Sequence, residues 1–158
     1  MRSDTAPGAV RPARPGEAEI LSALAMRSKA HWGYDEDFMA RCRDELAVTA
    51  AEIERHPTAV VETDGRPAGY CQLRPTDTGG EILALFVEPD ALGQGHGAAL
   101  MAWALEQARG LGWSELTVDS DPHAEPFYRH CGGIRIGAVP SGSIPGRELP
   151  VLRFELST

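Results

Sequence analysis

The sequence predicts a mixed α/β fold in one domain, built on a sheet that contains a parallel pair of strands. The length of 158 residues suits one domain, and a hydrophobic content of 42% is enough to build a core. Helical periodicity dominates the first third of the chain, and short apolar runs bounded by turn residues follow it. In the middle, a strand, a glycine loop, a helix and a second strand occur in that order, which favours a right-handed parallel crossover.

The first third of the chain predicts one strand and three helices. Residues 1–8 have the character of a disordered lead-in to a domain that spans 9–158. We expect a strand at 9–12, helices at 16–28 and 35–46, and a third short helix that ends at 55. Asp35 can N-cap the second helix, and Thr49 can cap the third with Glu52 as its capping-box partner.

A hairpin and a buried strand are predicted next. Asp64-Gly65 lies between two strand-like segments, 58–63 and 68–73, and is a strong signal for a two-residue turn. A second turn at 76–80 precedes the continuous apolar run 82–87. Because this run shows no alternation with polar residues, we expect a strand buried on both faces.

A long helix is predicted to follow the glycine loop 93–97 and to stop at the glycines at 110 and 112. Four residues at helical spacing predict its packing stripe: Leu100, Ala104, Ala108 and Leu111. Beyond this helix we expect a strand at 116–118, a short helix at 124–130, and strands at 134–138 and 149–155.

The loop Gly93-Gln-Gly-His-Gly97 has the features of an anion site. Its glycines let the backbone approach a ligand, and the first amides of the following helix carry the positive end of the helix dipole. Such a loop can hold a pyrophosphate, although a glycine-rich turn with no ligand is the alternative interpretation. A Walker A loop is excluded because no Gly-Lys-Ser/Thr follows, and a Rossmann site is disfavoured because the GxGxxG spacing is missing.

Two segments about 30 residues apart carry a family resemblance. Leu85-Phe-Val-Glu-Pro89, followed by Leu92-Gly-Gln-Gly-His-Gly-Ala98 and a helix, resembles the Arg/Gln-x-x-Gly-x-Gly/Ala acetyl-CoA motif of GNAT-superfamily N-acetyltransferases. Ala124-Glu-Pro-Phe-Tyr-Arg-His-Cys-Gly132 resembles the second signature of that superfamily. The chain departs from the pattern at Leu92, where Arg or Gln is usual, and at Asp121, where many members carry Asn.

The resemblance implies a mostly antiparallel, twisted sheet of about six or seven strands with a central parallel pair, flanked by helices. It also implies acetyl-CoA as the cosubstrate. The cofactor-binding positions that it implies are Leu85, Phe86, Val87, Leu92, Gly93, Gln94, Gly95, His96, Gly97, Ala98, Asp121 and Phe127. In the family, the strand bulges and splays near Phe86 and Val87, so that backbone amides polarise the acetyl carbonyl. With Leu92 in place of Arg or Gln, we expect cofactor binding to depend more on backbone amides.

The resemblance implies two catalytic residues. Tyr128 matches the tyrosine that protonates the sulfur of CoA, and a phenol with a pKa of about 10 suits a thiolate of similar basicity. A core tyrosine packed against Phe127 is the alternative interpretation. Glu81 is the first candidate for the general base, commonly through water, and a solvated carboxylate at the strand entry is its alternative. Glu88 and His31 are reserve candidates for the base.

The acceptor site is expected between the first two helices. His31, Trp32 and Tyr34 can hold a cationic amine by cation–π contact there, unless they form only a helix–helix corner. Arg147, in the loop 141–147, is a candidate partner for a carboxylate on the acceptor, unless this loop is a mobile surface segment. The acceptor is expected to be a small-molecule amine or a protein amine.

Charge and cysteine content limit the other functions. A formal net charge of −8 disfavours binding to nucleic acid and favours cationic small molecules. No apolar run reaches the roughly 20 residues of a membrane span, and three scattered cysteines favour a reduced cytoplasmic setting. His123, His130 and Cys131 do not fit a zinc pattern, so no metal is expected. Family analogy predicts a homodimer, and a catalytically weak CoA-binding sensor or interaction module is the alternative function.

Overall fold

The computed structural model describes residues 9–156, in which seven strands form one sheet with α-helices on both of its faces. The predicted lead-in at 1–8 lies outside the described residues. The strands are β1 (Val10–Pro12), β2 (Thr58–Thr63), β3 (Arg66–Thr76), β4 (Gly79–Val87), β5 (Glu115–Asp119), β6 (Ile134–Pro140) and β7 (Glu148–Glu155). The helices are α1 (Ala18–Ala30), α2 (Glu36–Leu46), α3 (Ala50–Arg55), α4 (His96–Gly110) and α5 (Glu125–His130).

The sheet has the strand order β1-β2-β3-β4-β5-β7-β6. Neighbouring strands are antiparallel except β4 and β5, which are joined by α4 and run parallel. This arrangement confirms the predicted mixed α/β fold, with a mostly antiparallel sheet and a central parallel pair. The β4–α4–β5 crossover therefore brings the glycine loop to the carboxyl end of β4.

Local signals fix the ends of several elements. The Asp35 side chain caps α2 by accepting a hydrogen bond from the Phe38 amide at 2.8 Å. Thr49 and Glu52 form the predicted capping box of α3, with bonds of 3.1 and 3.0 Å. Asp64-Gly65 has positive φ angles of 54° and 77°, which suit the tight hairpin turn between β2 and β3.

Each face of the sheet carries its own hydrophobic core. Helices α1, α2 and α3 cover one face, where Tyr70 of β3 is fully buried. Helix α4 covers the opposite face with three fully buried residues of the predicted stripe, Leu100, Ala104 and Ala108. The prediction for Leu111 is wrong, because the helix ends one residue before it and its side chain is 48% exposed.

The pairing of β4 with β5 is short. It covers only Gly80–Ile82 of β4 and Leu116–Val118 of β5. The register between β3 and β4 shifts immediately afterwards, and Leu83 is the additional residue of a β-bulge. The resemblance placed the bulge at Phe86–Val87, but in the structure it lies earlier in the strand, at Leu83.

The end of this pairing leaves the second half of β4 partly open. Residues 83–86 are only half-buried, although Ile82 and Val87 at either end are buried. The prediction that 82–87 is buried on both faces is therefore wrong for these four residues. The physical reason is that β5 no longer pairs with this part of β4, so the sheet has an opening here and no neighbouring strand shields these residues on that side.

Gly80 offers a test of how tightly this region is built. A Cβ at Gly80 would lie 2.1 Å from Cζ3 of Trp113, so Gly80→Ala should lower the free energy of unfolding by about 1–3 kcal/mol through overpacking. Gly110→Ala is the matched control, because a Cβ there meets nothing within 4 Å and alanine favours the helix by up to about 1 kcal/mol. Urea unfolding of both variants measures the difference, and equal stability of the two would contradict this packing.

Candidate active site

The glycine loop forms an uncapped helix start. Gly93 and Gly95 have φ angles of 82° and 85°, in the left-handed region that favours glycine. Gly95 is the N-cap of α4 and no side chain caps this helix, so its first amides stay available to an anion. Leu92 is exposed beside the loop and offers no polar group. The loop fits the pyrophosphate of CoA, with backbone amides as the groups that would hold it.

The buried side chain of His96 connects the glycine loop to the end of β2. Its side chain is 2% exposed, and its Nε2 lies 3.3 Å from Oγ1 of Thr63 at the end of β2. Burial lowers the pKa of His96, so the ring is neutral at physiological pH. The side chain was predicted among the cofactor contacts, but the structure places it against β2 and leaves its backbone at the start of α4.

The loop also touches helix α5. A Cβ at Gly97 would lie 3.1 Å from Cε1 of Phe127, so glycine permits a close approach of α4 to this ring. Phe127 in turn packs edge-to-face against Tyr128, with ring centroids 5.2 Å apart. The two sequence motifs that are about 30 residues apart are therefore in direct contact in the fold.

Tyr128 lies in the core on the α4 side of the sheet. It is 5% exposed and packs near Phe154, with ring centroids 6.4 Å apart. Burial, and then the charges of Cys71, Cys131 and Asp121, raise the pKa of Tyr128 well above its ordinary value of 10. The phenol is therefore a proton donor at any physiological pH, and its pKa is higher than the sequence-based comparison with a thiolate assumed.

Glu81 lies at the point where β4 and β5 begin to separate. It forms an ion pair with Arg74, its partner on β3. On the other side its register partner is Thr117, and Asp119 lies two residues further along β5 on the same face. Burial, and then the charge of Glu81, raise the pKa of Asp119. The structure thus places two carboxylates on one face at the start of the opening.

The bulge also decides which residues share a face. Ile82 packs in the core on the α4 side, so the preceding Glu81 points to the opposite face. After the extra residue Leu83, Ala84 and Phe86 pack towards the core on the α1 side, while Leu85 packs towards the α4 side. The side chains of the predicted cofactor residues Leu85 and Phe86 therefore lie on opposite faces of the sheet.

The end of β5 leads into a cluster of charged and aromatic side chains. It comprises Asp121, Lys29, Tyr34, His123 and Arg147, and is called the Asp121 cluster below. Lys29 Nζ donates to Asp121 Oδ2 at 2.9 Å, and Arg147 Nη2 donates to the same oxygen at 3.1 Å. Tyr34 Oη lies 2.9 Å from Oδ2, and the His123 amide donates to Oδ1 at 2.8 Å.

These contacts change the expected role of Asp121. Burial alone would raise its pKa, but the hydrogen bond and charge of Lys29, the His123 amide and Tyr34 outweigh burial and hold the pKa below its ordinary value of 3.8. Burial, and then the bond to Asp121, raise the pKa of Tyr34 to about 12. Both carboxylate oxygens are engaged within the protein, so Asp121 organises this cluster.

Aromatic rings surround the Asp121 cluster. Trp32 stacks on His123 with centroids 5.0 Å apart, and His31 meets Trp32 edge-on at 5.6 Å. Both Trp32 and His31 are exposed. Tyr34 stacks on Phe38 at 3.9 Å on the inner side of the cluster. The predicted acceptor-binding residues His31, Trp32 and Tyr34 are thus brought together with Arg147.

The loop that carries Arg147 is tied to the protein. Ser143 Oγ donates to Oε1 of Glu45 on α2 at 3.2 Å and lies 3.7 Å from Sγ of Cys42. The Ser141 amide donates to the carbonyl of Arg147 at 2.7 Å, which closes the loop. These contacts disagree with the alternative of a mobile surface segment and give Arg147 a defined position.

Sequence reasoning missed four residues of the site. Lys29 was overlooked because its partner Asp121 lies 92 positions away. His123 lies only two residues after Asp121, and a short-range turn in which the His123 amide bonds to the Asp121 side chain is the signal that could have found it. Arg74 and Asp119 were overlooked as neighbours of Glu81. Alternation along β5, combined with a parallel register, is a signal that could have found Asp119.

Two features are absent from residues 9–156. No group of three or more His, Cys, Asp or Glu side chains in this range is arranged to hold a metal ion. No helix in the same range is long and apolar enough to cross a membrane.

Comparison with known proteins identifies the class that this fold and site define. Residues 23–133 match the Acetyltransferase (GNAT) family, so the chain belongs to that family of N-acetyltransferases. A search of curated proteins found no significant match. These results confirm the family and the enzyme class predicted from the two motifs.

Solved structures of other acetyltransferases share the fold. A GCN5-related N-acetyltransferase from Rhodopseudomonas palustris is 25% identical, with a TM-score of 0.82 over 99% of this chain and 100% of that one. The PaiA N-acetyltransferase from Thermoplasma acidophilum, in complex with coenzyme A, is 17% identical, with a TM-score of 0.75 over 93% and 98%. The ribosomal-protein-S18-alanine N-acetyltransferase from Escherichia coli is 16% identical, with a TM-score of 0.68 over 95% and 94%.

The ion pairs of Asp121 predict a pH-dependent stability. Asp121→Asn should lower the free energy of unfolding at pH 7 by about 2 kcal/mol or more, because Lys29 and Arg147 lose their charged partner. Since the folded-state pKa of Asp121 is depressed, its contribution is present above about pH 4 and is lost as the pH falls further. Urea unfolding at pH 7 and pH 3 should therefore show a wide gap between wild type and variant that narrows at pH 3. Asp77→Asn, at an exposed turn, is the control, and a gap of equal size at both pH values would contradict the role of Asp121.

Proposed function

We propose that this chain transfers an acetyl group from acetyl-CoA directly to a primary amine while both substrates are bound. The observation that carries the proposal is the opening between β4 and β5 beyond Ile82, which has the buried Tyr128 on one side and Glu81 at its start. The glycine loop 93–97 supplies the amides for the pyrophosphate. The structural relative PaiA N-acetyltransferase, which holds coenzyme A, supports the same cosubstrate here.

Backbone groups of β4 are available to bind the acyl end. Beyond Ile82, β4 still pairs with β3 but has no strand partner on the β5 side. In a paired sheet those amides and carbonyls would bond to β5, so here they can bond to the pantetheine arm and polarise the acetyl carbonyl. We propose Leu85, Phe86 and Val87 as the residues whose backbone does so.

Two side chains then handle the protons of the reaction. The amine must be neutral to attack the thioester carbon, and Glu81 is proposed to remove its proton, directly or through water. As the carbon–sulfur bond breaks, negative charge grows on sulfur and Tyr128 donates its hydrogen bond and proton there. Burial raises the basicity of a thiolate as it raises the pKa of Tyr128, so the two groups stay matched in the same apolar surroundings.

Glu81 is a better candidate for the base than the two reserves. Arg27 engages both carboxylate oxygens of Glu88, through Nε and Nη2, whereas the ion pair of Glu81 with Arg74 uses only Oε1 and leaves Oε2 without a hydrogen-bond partner among residues 9–156. His31 is exposed and packs against Trp32 on the outside of the acceptor region. Glu81 is the carboxylate that faces the start of the opening, and Asp119 is its nearest comparable neighbour.

Location, assembly and partners are part of the proposal. Free cysteines, two of them buried, fit a reducing cytoplasmic compartment. The edge strand β6 exposes Ile134 and Ile136, which supports a homodimer. The net charge of −8 fits an amine acceptor, small molecule or protein, and disfavours nucleic acid. The alternative of a weak CoA-binding module is not favoured, because both the loop and the tyrosine motif are intact.

Replacement of Tyr128 separates catalysis from cofactor binding. Tyr128→Phe should lower kcat by about 100-fold, because the sulfur loses its proton donor, while the Kd for acetyl-CoA stays within about twofold. Release of CoA thiol gives the rate, and isothermal titration calorimetry gives the Kd. Tyr70→Phe is the matched control, since it removes another buried hydroxyl, one that has no hydrogen-bond partner. Wild-type turnover by Tyr128→Phe would refute the catalytic assignment, and failure of wild type to bind acetyl-CoA would refute the function.

The proposed base predicts a change in the pH profile. Glu81→Gln should lower kcat/KM at pH 7 by about 100-fold, and the deficit should shrink as the pH approaches the pKa of the acceptor amine, where the amine is neutral without a base. Asp119→Asn removes the neighbouring carboxylate on the same face and should leave the profile in place. If Asp119→Asn shows the pH-dependent deficit and Glu81→Gln does not, the base has been assigned to the wrong carboxylate.

A further inference from the structure

The Asp121 cluster carries more positive charge than its one carboxylate can neutralise. Lys29 and Arg147 are both within ion-pair distance of the single carboxylate of Asp121, at 2.9 and 3.1 Å. Two cations against one anion leave one unit of positive charge before His123 is counted. Glu45, which bonds to the same loop through Ser143, is exposed, so water screens its charge.

We propose that this cluster binds a carboxylate of the acceptor, so that the substrate class is an amino acid with a free carboxylate. The proposal rests on the acetyltransferase function above and specifies its acceptor. Arg147 is the residue that would bind the carboxylate, because a guanidinium matches the geometry of a carboxylate with two parallel hydrogen bonds.

Arg147 has donors to spare. Only its Nη2 is used, in bonds to Tyr34 Oη at 2.8 Å and Asp121 Oδ2 at 3.1 Å. Within residues 9–156, the fully buried side-chain polar atoms that lack a partner are Oη of Tyr70 and Nδ1 of His96. Nε and Nη1 of Arg147 are not among them and form no hydrogen bond with the described residues, so they reach solvent.

The guanidinium is nevertheless held in place. Its side chain is 15% exposed, and its Cζ lies 4.9 Å from the ring centre of Phe38 and 5.2 Å from that of Tyr34. A cation that is already ordered and partly desolvated binds an anion more strongly than a freely moving surface arginine. Trp32 and His123, which are both exposed, stack beside the cluster with ring centroids 5.0 Å apart.

The cluster is also near the reacting groups. Asp121 comes two residues after the end of β5, and its Oδ1 accepts from the His123 amide in the turn that leads into α5, the helix that carries Tyr128. An acceptor whose carboxylate is bound by Arg147 would therefore have its amine on the side of the opening between β4 and β5. One excess charge fits a singly charged carboxylate, and a neutral amide would leave it without a partner.

Matched acids and amides test this inference. The purified chain is saturated with acetyl-CoA, and its release of CoA is assayed with each of the free amino acids that occur in proteins and with the corresponding carboxamides. We expect at least one acid whose kcat/KM exceeds that of its amide by roughly tenfold or more, the value of one charge-assisted contact. Arg147→Gln should bring the ratio of acid to amide close to one, and Arg147→Lys, which keeps the charge, should restore part of the preference.

A control variant and the contrary outcomes complete the test. Arg135→Gln removes an exposed arginine on β6, outside the cluster, and should keep the wild-type ratio. Equal turnover of acids and amides by wild type, or a preference that survives in Arg147→Gln, overturns the carboxylate proposal and leaves the acetyltransferase function standing. No turnover with either set, in protein that binds acetyl-CoA, overturns this inference and excludes free amino acids and their amides as acceptors of the proposed transfer.

Discussion

The site depends on one constraint, namely that β4 and β5 stop pairing after Ile82. Backbone hydrogen bonds that a continuous sheet would use internally are left for a ligand, and the apolar side chains at 83–86 stay half-buried. The bulge at Leu83 lies at the same point of β4. It sets the face of the sheet to which each following residue points, so that Ala84 and Phe86 pack on the α1 side and Leu85 on the α4 side. If β5 were longer and paired along the whole of β4, the backbone groups proposed to hold the cosubstrate would be occupied within the sheet.

A second organising contact joins elements that are far apart in sequence. Asp121 after β5, Lys29 at the end of α1 and Arg147 in the last loop meet as one group of charges. In a position where Asn is usual, Asp can hold these two cations, and Asn could not neutralise them. Asp121 therefore explains how Lys29 and Arg147 can share one site, and the positive charge that remains there comes from these two cations.

Features with a local cause could be predicted from the sequence. The caps at Asp35 and Thr49, the hairpin turn at Asp64-Gly65 and the glycine helix start depend on residues within a few positions of each other. The order of strand, glycine loop, helix and strand predicted the parallel pair, and the family resemblance added the mostly antiparallel sheet of about six or seven strands. The errors came from tertiary context: full burial was expected for 82–87, but the path of β5 decides it, and Leu111 was expected to pack although the helix ends before it.

The site was predicted in part for the same reason. Tyr128, Glu81 and Arg147 were proposed from the sequence because a motif, a strand start and a loop indicated them. Lys29 was not found, because nothing near it in sequence indicates an ion pair with a residue 92 positions away. The side-chain direction of His96 was not predictable either, since its burial against Thr63 depends on how the hairpin packs beneath α4.

The contact between Gly97 and Phe127 has a mechanical consequence. The Phe127 ring packs against Gly97 in the first turn of α4, and Tyr128 follows Phe127 directly in α5. The start of α4 and the helix that carries Tyr128 are therefore in close contact. A side chain at residue 97 would press on the Phe127 ring and shift it, and Tyr128 next to it would shift as well. In the proposed binding mode, this contact between α4 and α5 would help to set the distance between the phosphate site at the glycine loop and the thioester site at Tyr128.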